Sequence, residues 1–182
     1  MALIKPLKTA FATNDLKCIC RAVDAAACSY GLTKMSQDAK IDRATLFRAF
    51  RRENGPSLAT MVRLLACLGF RLIVEMKDQQ PKPLKSRSDD LSTKMTSLYL
   101  ATACKSDDLR IMMEAFAEVL SWQDNVSEVA RNTIRWRESL YRAFEARHVP
   151  RFRTVLSFLD AIGLRFSVEP IWNPQDERTL AT

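Results

Sequence analysis

The chain has 182 residues, of which 47% are hydrophobic and 27% charged, a composition typical of globular proteins. It has neither an apolar run of the about 20 residues that a membrane-spanning helix needs nor a signal-peptide pattern, so we expect a cytoplasmic protein without a membrane partner. The net charge of +7 favours an anionic partner, whereas a single histidine and five cysteines without metal-ligand spacing predict no metal, no cofactor and no enzymatic activity.

The first predicted helix is amphipathic. Its apolar residues recur at three- and four-residue spacing from Leu16 to Ala27, and Gly31 is expected to end it. Cysteines in such alanine- and leucine-rich stretches are expected to behave as small core hydrophobes. Thr33 is the predicted N-cap of a short helix that follows.

Two further helices and a strand complete the first half. Asp42 is the predicted N-cap of a helix over residues 43–54, and a glycine-proline pair follows that helix. The next helix covers residues 57–68 and is capped by Gly69. Residues 70–76 alternate between apolar and polar side chains, which predicts a strand with one buried face.

The same order of elements recurs later in the chain. We predict a first unit at residues 1–76, a linker at 77–90 containing “PKP”, a second unit at 91–170, and a tail at 171–182. Because a lone strand cannot satisfy its backbone polar groups, the closing strands of the two units are expected to pair. The arginines on their polar faces, Arg71 and Arg165, are expected to be solvated.

The two units have related sequences. The octets “RATLFRAF” and “RESLYRAF” begin 94 positions apart, and this offset aligns residues 43–76 with 137–170 at 12 identities in 34 pairs. Residues 33–63 and 125–153 each carry seven basic and three acidic side chains. Self-similarity at a fixed offset predicts a tandem duplication in which both copies concentrate positive charge in the same place.

Residues 126–170, “VSEVARNTIRWRESLYRAFEARHVPRFRTVLSFLDAIGLRFSVEP”, resemble the probable addiction-module antidote proteins, which are HigA-like antitoxins of the lambda-repressor-like helix-turn-helix superfamily. The first copy preserves the spacing from Gly31 to Leu46 and the closing Gly-Phe-Arg-Leu. The resemblance implies a mainly α fold made of two tandem helix-turn-helix bundles, each ending in a short strand. It also implies a DNA-binding repressor of its own operon, beside a RelE-like toxin.

This chain departs from the usual pattern of those proteins in three ways. It has two units where one is typical. The turn glycine is replaced by Lys40 in one copy and by Ile134 in the other, and Trp136 occupies the position of an N-capping serine.

The resemblance assigns base contacts to the second helix of each helix-turn-helix, because this helix enters the major groove by its N-terminal part. The expected base-contacting residues are Arg43, Ala44, Thr45 and Arg48 in the first unit and Arg137, Glu138, Ser139 and Arg142 in the second. Arg48 and Arg142 could equally contact phosphates or pair with acidic neighbours. Packing on the preceding helix is preferred over a thymine contact for Phe47 and Tyr141.

The remaining expected DNA contacts are mainly to phosphates, which fix register without distinguishing sequence. These residues are Thr33, Lys34, Arg51, Arg52, Ser127, Arg135, Arg151 and Arg153. Helix capping explains Thr33 and Ser127 equally well.

Three hypotheses follow. In the first, the chain is an intramolecular pseudo-dimer that binds double-stranded DNA at adjacent half-sites, with further homo-oligomerisation left open. In the second, it is an antitoxin that mainly binds and neutralises a RelE-like toxin. In the third, the second copy has lost DNA contact and serves only dimerisation or partner binding.

Overall fold

The computed structural model describes residues 3–51, 55–77, 87–122, 137–144 and 149–171, with 87–92 and 137–140 described by their backbone alone. Within these ranges the protein is mainly helical, as predicted, with one antiparallel pair of strands. No helix of the described ranges is long and apolar enough to cross a membrane. The elements are α1 Ile4–Ala12, α2 Leu16–Tyr30, α3 Leu32–Asp38, α4 Arg43–Arg51, α5 Leu58–Cys67, β1 Phe70–Met76, α6 Arg87–Lys105, α7 Leu109–Ser121, α8 Arg137–Phe144, α9 Phe152–Ala161 and β2 Leu164–Pro170.

Helices α2 and α7 begin in the same way. Asn14 and Asp107 precede them with φ angles of 52° and 54°, which asparagine and aspartate tolerate better than most residues. The next residue, Asp15 or Asp108, is the N-cap, and its carboxylate accepts a hydrogen bond from a backbone N–H of the first turn. Each capped helix is preceded by another helix, α1 or α6, so the two halves share this local design.

Two expectations about helix ends are wrong. Helix α3 begins at Leu32 with Gly31 as its N-cap, so Thr33 lies inside the first turn and does not cap it. Gly31 has a φ of 97° and ends α2 as well, leaving no residue between the two helices for a threonine cap. Helix α6 begins at Arg87, inside the segment 77–90 that was expected to be a linker. The predicted cap Asp42 is confirmed, since its carboxylate accepts from Thr45 N at 2.9 Å.

Strands β1 and β2 pair in antiparallel fashion, which confirms the predicted pairing between the halves. Ile73 lies opposite Ser167, and these two positions are separated by the 94-residue offset of the repeat. The remaining pairs are arranged evenly about this one, from Phe70 with Pro170 to Met76 with Leu164. A two-fold axis that exchanges equivalent residues of the two halves would produce this register.

A second contact between the halves has the same symmetry. Ser57 and Arg151, also 94 positions apart, form an isolated antiparallel bridge. Leu58 N donates to Pro150 O and Phe152 N donates to Pro56 O, both at 2.9 Å. The bridge lies immediately before α5 and α9, so it holds the starts of these helices side by side.

The halves also exchange their first helices. Helix α1 packs on β2, and α6 packs on β1. Leu7 of α1 and Leu100 of α6 hold equivalent positions and are both fully buried. The buried side chains of both halves form one hydrophobic cluster, within which Phe152 and Phe166 stack with their ring centroids 5.4 Å apart.

The strand arginines are paired across the sheet, contrary to the expectation of a solvated face. Arg165 Nε donates to a carboxylate oxygen of Glu75 at 3.0 Å. Arg71, its equivalent in the first half, donates to the carbonyl oxygens of Lys105 and Ile171. Both arginines therefore link the two halves.

Candidate nucleic-acid interface

Helices α3 and α4 are joined by the four-residue connection 39–42, which is fixed from both sides. Ala39 and Ile41 are buried, whereas Lys40 between them is exposed and has a φ of 52°. Ser36 braces the connection, because its Oγ donates to Ile41 O at 2.7 Å and its carbonyl accepts from Ile41 N at 3.1 Å. The start of α4 is thereby held at a defined position on the surface.

Helix α4 has one buried face and one exposed face that is basic. Leu46 and Ala49 pack into the core, while Arg43, Ala44 and Arg48 are exposed. Hydrogen bonds from the Thr45 side chain and from its backbone N–H hold the pKa of the Asp42 carboxyl below the ordinary value, so this cap is charged at neutral pH. Of the predicted base-contacting residues of the first unit, Arg43 and Ala44 are exposed at the start of α4, Thr45 beside them is half-buried, and Arg48 is exposed in the middle of the helix.

Arg48 and Arg51 each contact another residue of α4. Arg48 Nε donates to Ala44 O at 3.1 Å, and no ion pair of Arg48 occurs among the residues that the structure describes. Arg51 stacks over the ring of Phe47 with 5.0 Å between guanidinium and centroid. Phe47 is 48% exposed, so about half of its surface is accessible to a partner.

Helix α3 adds a cation beside α4. Lys34 is exposed and lies over the Tyr30 ring, with 4.9 Å from Nζ to the centroid. The Tyr30 hydroxyl donates to Asp38 at 2.6 Å, which raises the pKa of Tyr30. Thr33 is exposed, as a phosphate contact requires.

In the second half, α8 is the equivalent of α4. Arg142 is exposed, Tyr141 is 38% exposed, and Phe144 is buried. Tyr141 thus repeats the partial exposure of Phe47, its equivalent in α4. Of the other predicted residues, Arg137, Glu138 and Ser139 lie in α8 at positions described by backbone alone, and Arg52, Ser127 and Arg135 lie outside the described residues.

The two remaining predicted arginines lie elsewhere, at the start of α9. Arg151 is the N-cap residue of α9 and pairs through its backbone with Ser57 of the other half. Both Arg151 and Arg153 have exposed side chains. They therefore flank the junction between the halves and are not part of α8.

Sequence reasoning missed Lys40 as a residue of this surface and placed a thymine contact of Phe47 second to packing. Lys40 was identified only as the replacement for a turn glycine, yet its side chain is an exposed cation between α3 and α4. Phe47 lies between Arg43 and Arg51 at four-residue spacing, which places all three on one face of α4. That spacing, compared with the buried positions Leu46 and Ala49, was the available sequence signal.

The geometry relates α4 to α8. Helices α4 and α8 begin 94 positions apart, the same offset that separates the paired residues Ile73 and Ser167. Among the described side chains, exposed arginines therefore occur at the equivalent positions Arg48 of α4 and Arg142 of α8.

Comparison with known proteins gives two matches. A family model described as “Probable addiction module antidote protein” matches residues 2–76 and, separately, residues 86–170. A protein of Haemophilus influenzae described as uncharacterized is 31% identical over 72 residues, which is 40% of this chain and 73% of that protein. No solved structure matches the chain significantly.

Proposed function

Because the chain belongs to the probable addiction module antidote family, which matches it twice, we propose that it is a sequence-specific DNA-binding regulator that represses transcription. In this proposal α3 and α4, and their equivalents in the second half, are helix-turn-helix units produced by tandem duplication. The two units contact adjacent major-groove half-sites of one DNA duplex.

The register of the β1–β2 sheet carries this proposal. Equivalent residues pair with each other at Ile73–Ser167 and again at Ser57–Arg151, so one chain supports the two-fold arrangement that single-unit repressors achieve by dimerising. Half-sites on DNA lie one helical turn, about 34 Å, apart in such complexes. A covalent link also gives the second unit a high effective concentration once the first has bound.

Base recognition is assigned to the start of α4. A major groove about 12 Å wide admits a helix, and an arginine can donate two hydrogen bonds to one guanine. Arg43 is the first residue of α4, exposed and next to the capped turn, which makes it the leading candidate. Exposed Phe47 can contact a thymine methyl group, while Lys34, Lys40 and Arg51 lie where they can neutralise phosphates.

The two half-sites are expected to differ in sequence. Ala44 and Thr45 of the first unit correspond to Glu138 and Ser139 of the second. A carboxylate can accept a hydrogen bond from the amino group of cytosine, which alanine cannot do. The proposed operator is therefore an imperfect palindrome.

The test is a mobility-shift titration of the whole protein on the DNA upstream of its own gene, at two salt concentrations. Affinity should fall as salt rises, with a logarithmic slope of about −0.9 for each phosphate neutralised. The double substitution Arg43→Glu with Arg48→Glu should abolish the specific shift. Lys5→Glu with Lys8→Glu on exposed positions of α1 is the matched control, since it changes the net charge equally.

A second pair of substitutions, Arg137→Glu with Arg142→Glu, tests the contribution of the second unit. Loss of binding with both pairs supports two DNA-contacting units, whereas loss with the first pair alone supports a second unit used for partner binding. An affinity independent of salt, or an equal loss in the Lys5 and Lys8 control, would contradict the proposal.

Family membership favours a second candidate, an antidote that binds and neutralises a toxin protein such as a RelE-like toxin. The two activities are compatible, because a DNA-bound regulator can present a separate surface to a protein. Co-expression of this chain with the product of a neighbouring toxin gene should restore the growth that the toxin alone arrests. Continued arrest at matched expression levels would argue against this candidate.

A further inference from the structure

The second half has an exposed apolar surface on the hairpin of α6 and α7. On α6, Met95 and Leu98 are 63% and 64% exposed, and Tyr99 is 36% exposed. On α7, Ile111 is 40% exposed, and Trp122 just after the helix is 47% exposed. The Tyr99 and Trp122 rings lie 5.0 Å apart between centroids and join the two helices into one surface. We call these five residues, with Glu114 and Glu118, the α6–α7 face.

The fold itself does not require this apolar surface. Helix α6 buries a different set of positions, including Thr96, Leu100 and Cys104, so its exposed stripe is additional to the one that packs on β1. Met, Tyr and Trp are residue types enriched where proteins bind each other, and contiguous exposed apolar patches mark such sites.

The first half provides an internal comparison, because residues 14–17 (“NDLK”) align with 107–110 (“DDLR”), which places equivalent positions of this region 93 residues earlier. The fold is shared, but the surface is not. The first-half residues equivalent to the five apolar ones are given in the same order. For Met95, Leu98, Tyr99, Ile111 and Trp122 they are Ala2, Lys5, Pro6, Cys18 and Ser29. The apolar character therefore belongs to one half only.

The charges differ between the halves in the same way. Glu114 and Glu118 are exposed on α7, and the equivalent positions on α2 are Arg21 and Ala25. Glu118 accepts a hydrogen bond from the Tyr99 hydroxyl, so one carboxylate is fixed beside the aromatic pair. Glu114 lies 3.7 Å from Arg110 in a largely exposed pair, which is readily exchanged for a cation of a partner. An otherwise basic protein thus presents an apolar and acidic face.

We propose that the α6–α7 face is the docking surface for a separate protein whose contacting surface is apolar and basic. Two carboxylates within an apolar surface disfavour the phosphates of DNA. They also disfavour a second copy of this chain, because an isologous contact would place the same carboxylates on both sides. The proposal deepens the antidote candidate by assigning its surface, and it is independent of DNA binding.

Site-specific photo-crosslinking in the native cell tests the assignment. A benzoylphenylalanine side chain replaces Leu98 in the whole protein, and the matched control replaces Lys5, the equivalent position in the first half. The expected result is one dominant adduct at position 98, absent at position 5, whose partner is a protein of basic isoelectric point by mass spectrometry. No adduct, an adduct with a second copy of the chain, or an adduct with DNA or an acidic protein would overturn the proposal.

The captured protein is then purified, and its affinity for variants of the whole chain is measured. Leu98→Glu with Trp122→Ala should weaken binding by at least about tenfold, since aromatic anchors dominate interface energies. Glu114→Lys with Glu118→Lys should weaken binding measurably and reduce its salt dependence. Unchanged affinity in either variant would contradict the assignment.

Two controls separate this proposal from folding effects and from the DNA proposal. Lys17→Glu with Arg21→Glu, on exposed positions of α2, should leave partner affinity unchanged. Leu98→Glu should retain the wild-type melting temperature and operator shift. If the operator shift fails in the wild type while the adduct forms, DNA binding is refuted and the docking surface stands. If the wild type shifts the operator but forms no adduct, the docking surface is refuted and DNA binding stands.

Discussion

At the residue scale, the five cysteines occupy different environments, although the alanine- and leucine-rich stretches around four of them predict core positions. Cys20 and Cys104 are buried, and burial raises the pKa of these thiols to about 11 and about 12. Burial also raises the pKa of half-buried Cys67. Cys18 and Cys28 are exposed on α2, so the expectation of core packing is wrong for at least one of the four cysteines to which it applied.

This difference predicts the order of thiol labelling. Because the thiolate is the reacting form, Cys20 and Cys104 should stay unmodified by iodoacetamide at pH 8 in the folded protein, while Cys18 and Cys28 react. Peptide mass spectrometry after a timed reaction measures the order, and the same reaction in denaturant should label all five. Modification of Cys104 as fast as Cys18 would show that the α6 packing described here is incorrect.

At the element scale, the turn between α3 and α4 contains a local conflict. Lys40 has a φ of 52°, in the left-handed region that costs a non-glycine residue about 1 kcal/mol. Its neighbours Ala39 and Ile41 are both buried, which restricts the backbone on either side of Lys40. The positive φ of Lys40 therefore lowers the stability of the folded protein somewhat. Its side chain is an exposed cation beside α4.

Lys40→Gly should consequently raise the free energy of unfolding by about 0.5 to 1 kcal/mol, since glycine adopts a positive φ without a Cβ clash. Chemical denaturation followed by circular dichroism measures the change. The matched control is Lys34→Gly in exposed helix α3, where loss of helix propensity should lower the free energy by about 1 kcal/mol. Equal destabilisation by both substitutions would contradict the assigned turn conformation. In the DNA proposal, Lys40→Gly also weakens operator binding by removing a phosphate contact.

Elements with strong local patterns were predictable from the sequence. Strand β1 has the predicted bounds, and β2 covers the residues aligned with it, 164–170, because period-two alternation next to a glycine is a local property. Helix α1 was not predicted, because its buried residues Leu7 and Phe11 contribute to packing that exists only once β2 is in place. The pairing of Arg165 with Glu75 was missed for the same reason, since these residues are 90 positions apart.

The candidate site was predictable only in part. The exposed positions of Arg43, Ala44 and Arg48 follow from helix periodicity and the confirmed cap at Asp42. The wrong assignment of Thr33 as a cap arose because one glycine both ends α2 and begins α3, which a preference for capping residues does not reveal. The DNA contacts themselves remain predictions.

At the scale of the whole molecule, the shared sheet makes the two units one rigid element in the DNA proposal. Contacts at Ser57–Arg151 and Ile73–Ser167 fix the direction of one unit relative to the other. Two units on a flexible tether would instead adapt to variable spacing between half-sites.

Rigidity predicts a strict spacing requirement on the operator. Inserting five base pairs between the half-sites turns one of them by about half a helical turn and should abolish two-site binding. Inserting ten base pairs restores the angle but adds about 34 Å, so binding should also be lost, whereas a tethered pair would recover it. Mobility-shift titrations measure the affinity of the protein for the original operator and for the two operators with insertions. Recovery with the ten-base-pair insertion would contradict a rigid arrangement.

The exchange of α1 and α6 between halves predicts cooperative unfolding of the whole chain. Leu7 lies in the first half but packs, through α1, toward β2 of the second, so its loss should destabilise both halves together. Leu7→Ala should lower the free energy of unfolding by about 2 to 5 kcal/mol, as for other fully buried leucines. All three tryptophans, at positions 122, 136 and 172, belong to the later part of the chain and therefore report on it.

Urea denaturation followed by tryptophan fluorescence and by far-ultraviolet circular dichroism measures this coupling. Both probes should shift to the same lower midpoint in Leu7→Ala, because the shared core and the paired strands leave the second half no independent folded state. Lys8→Ala, at an exposed position of the same helix, is the control and should leave the midpoint nearly unchanged. If the tryptophan midpoint stays at its wild-type value while the helical signal falls early, the halves unfold separately. The exchange of α1 onto β2 then contributes little to the stability of the second half.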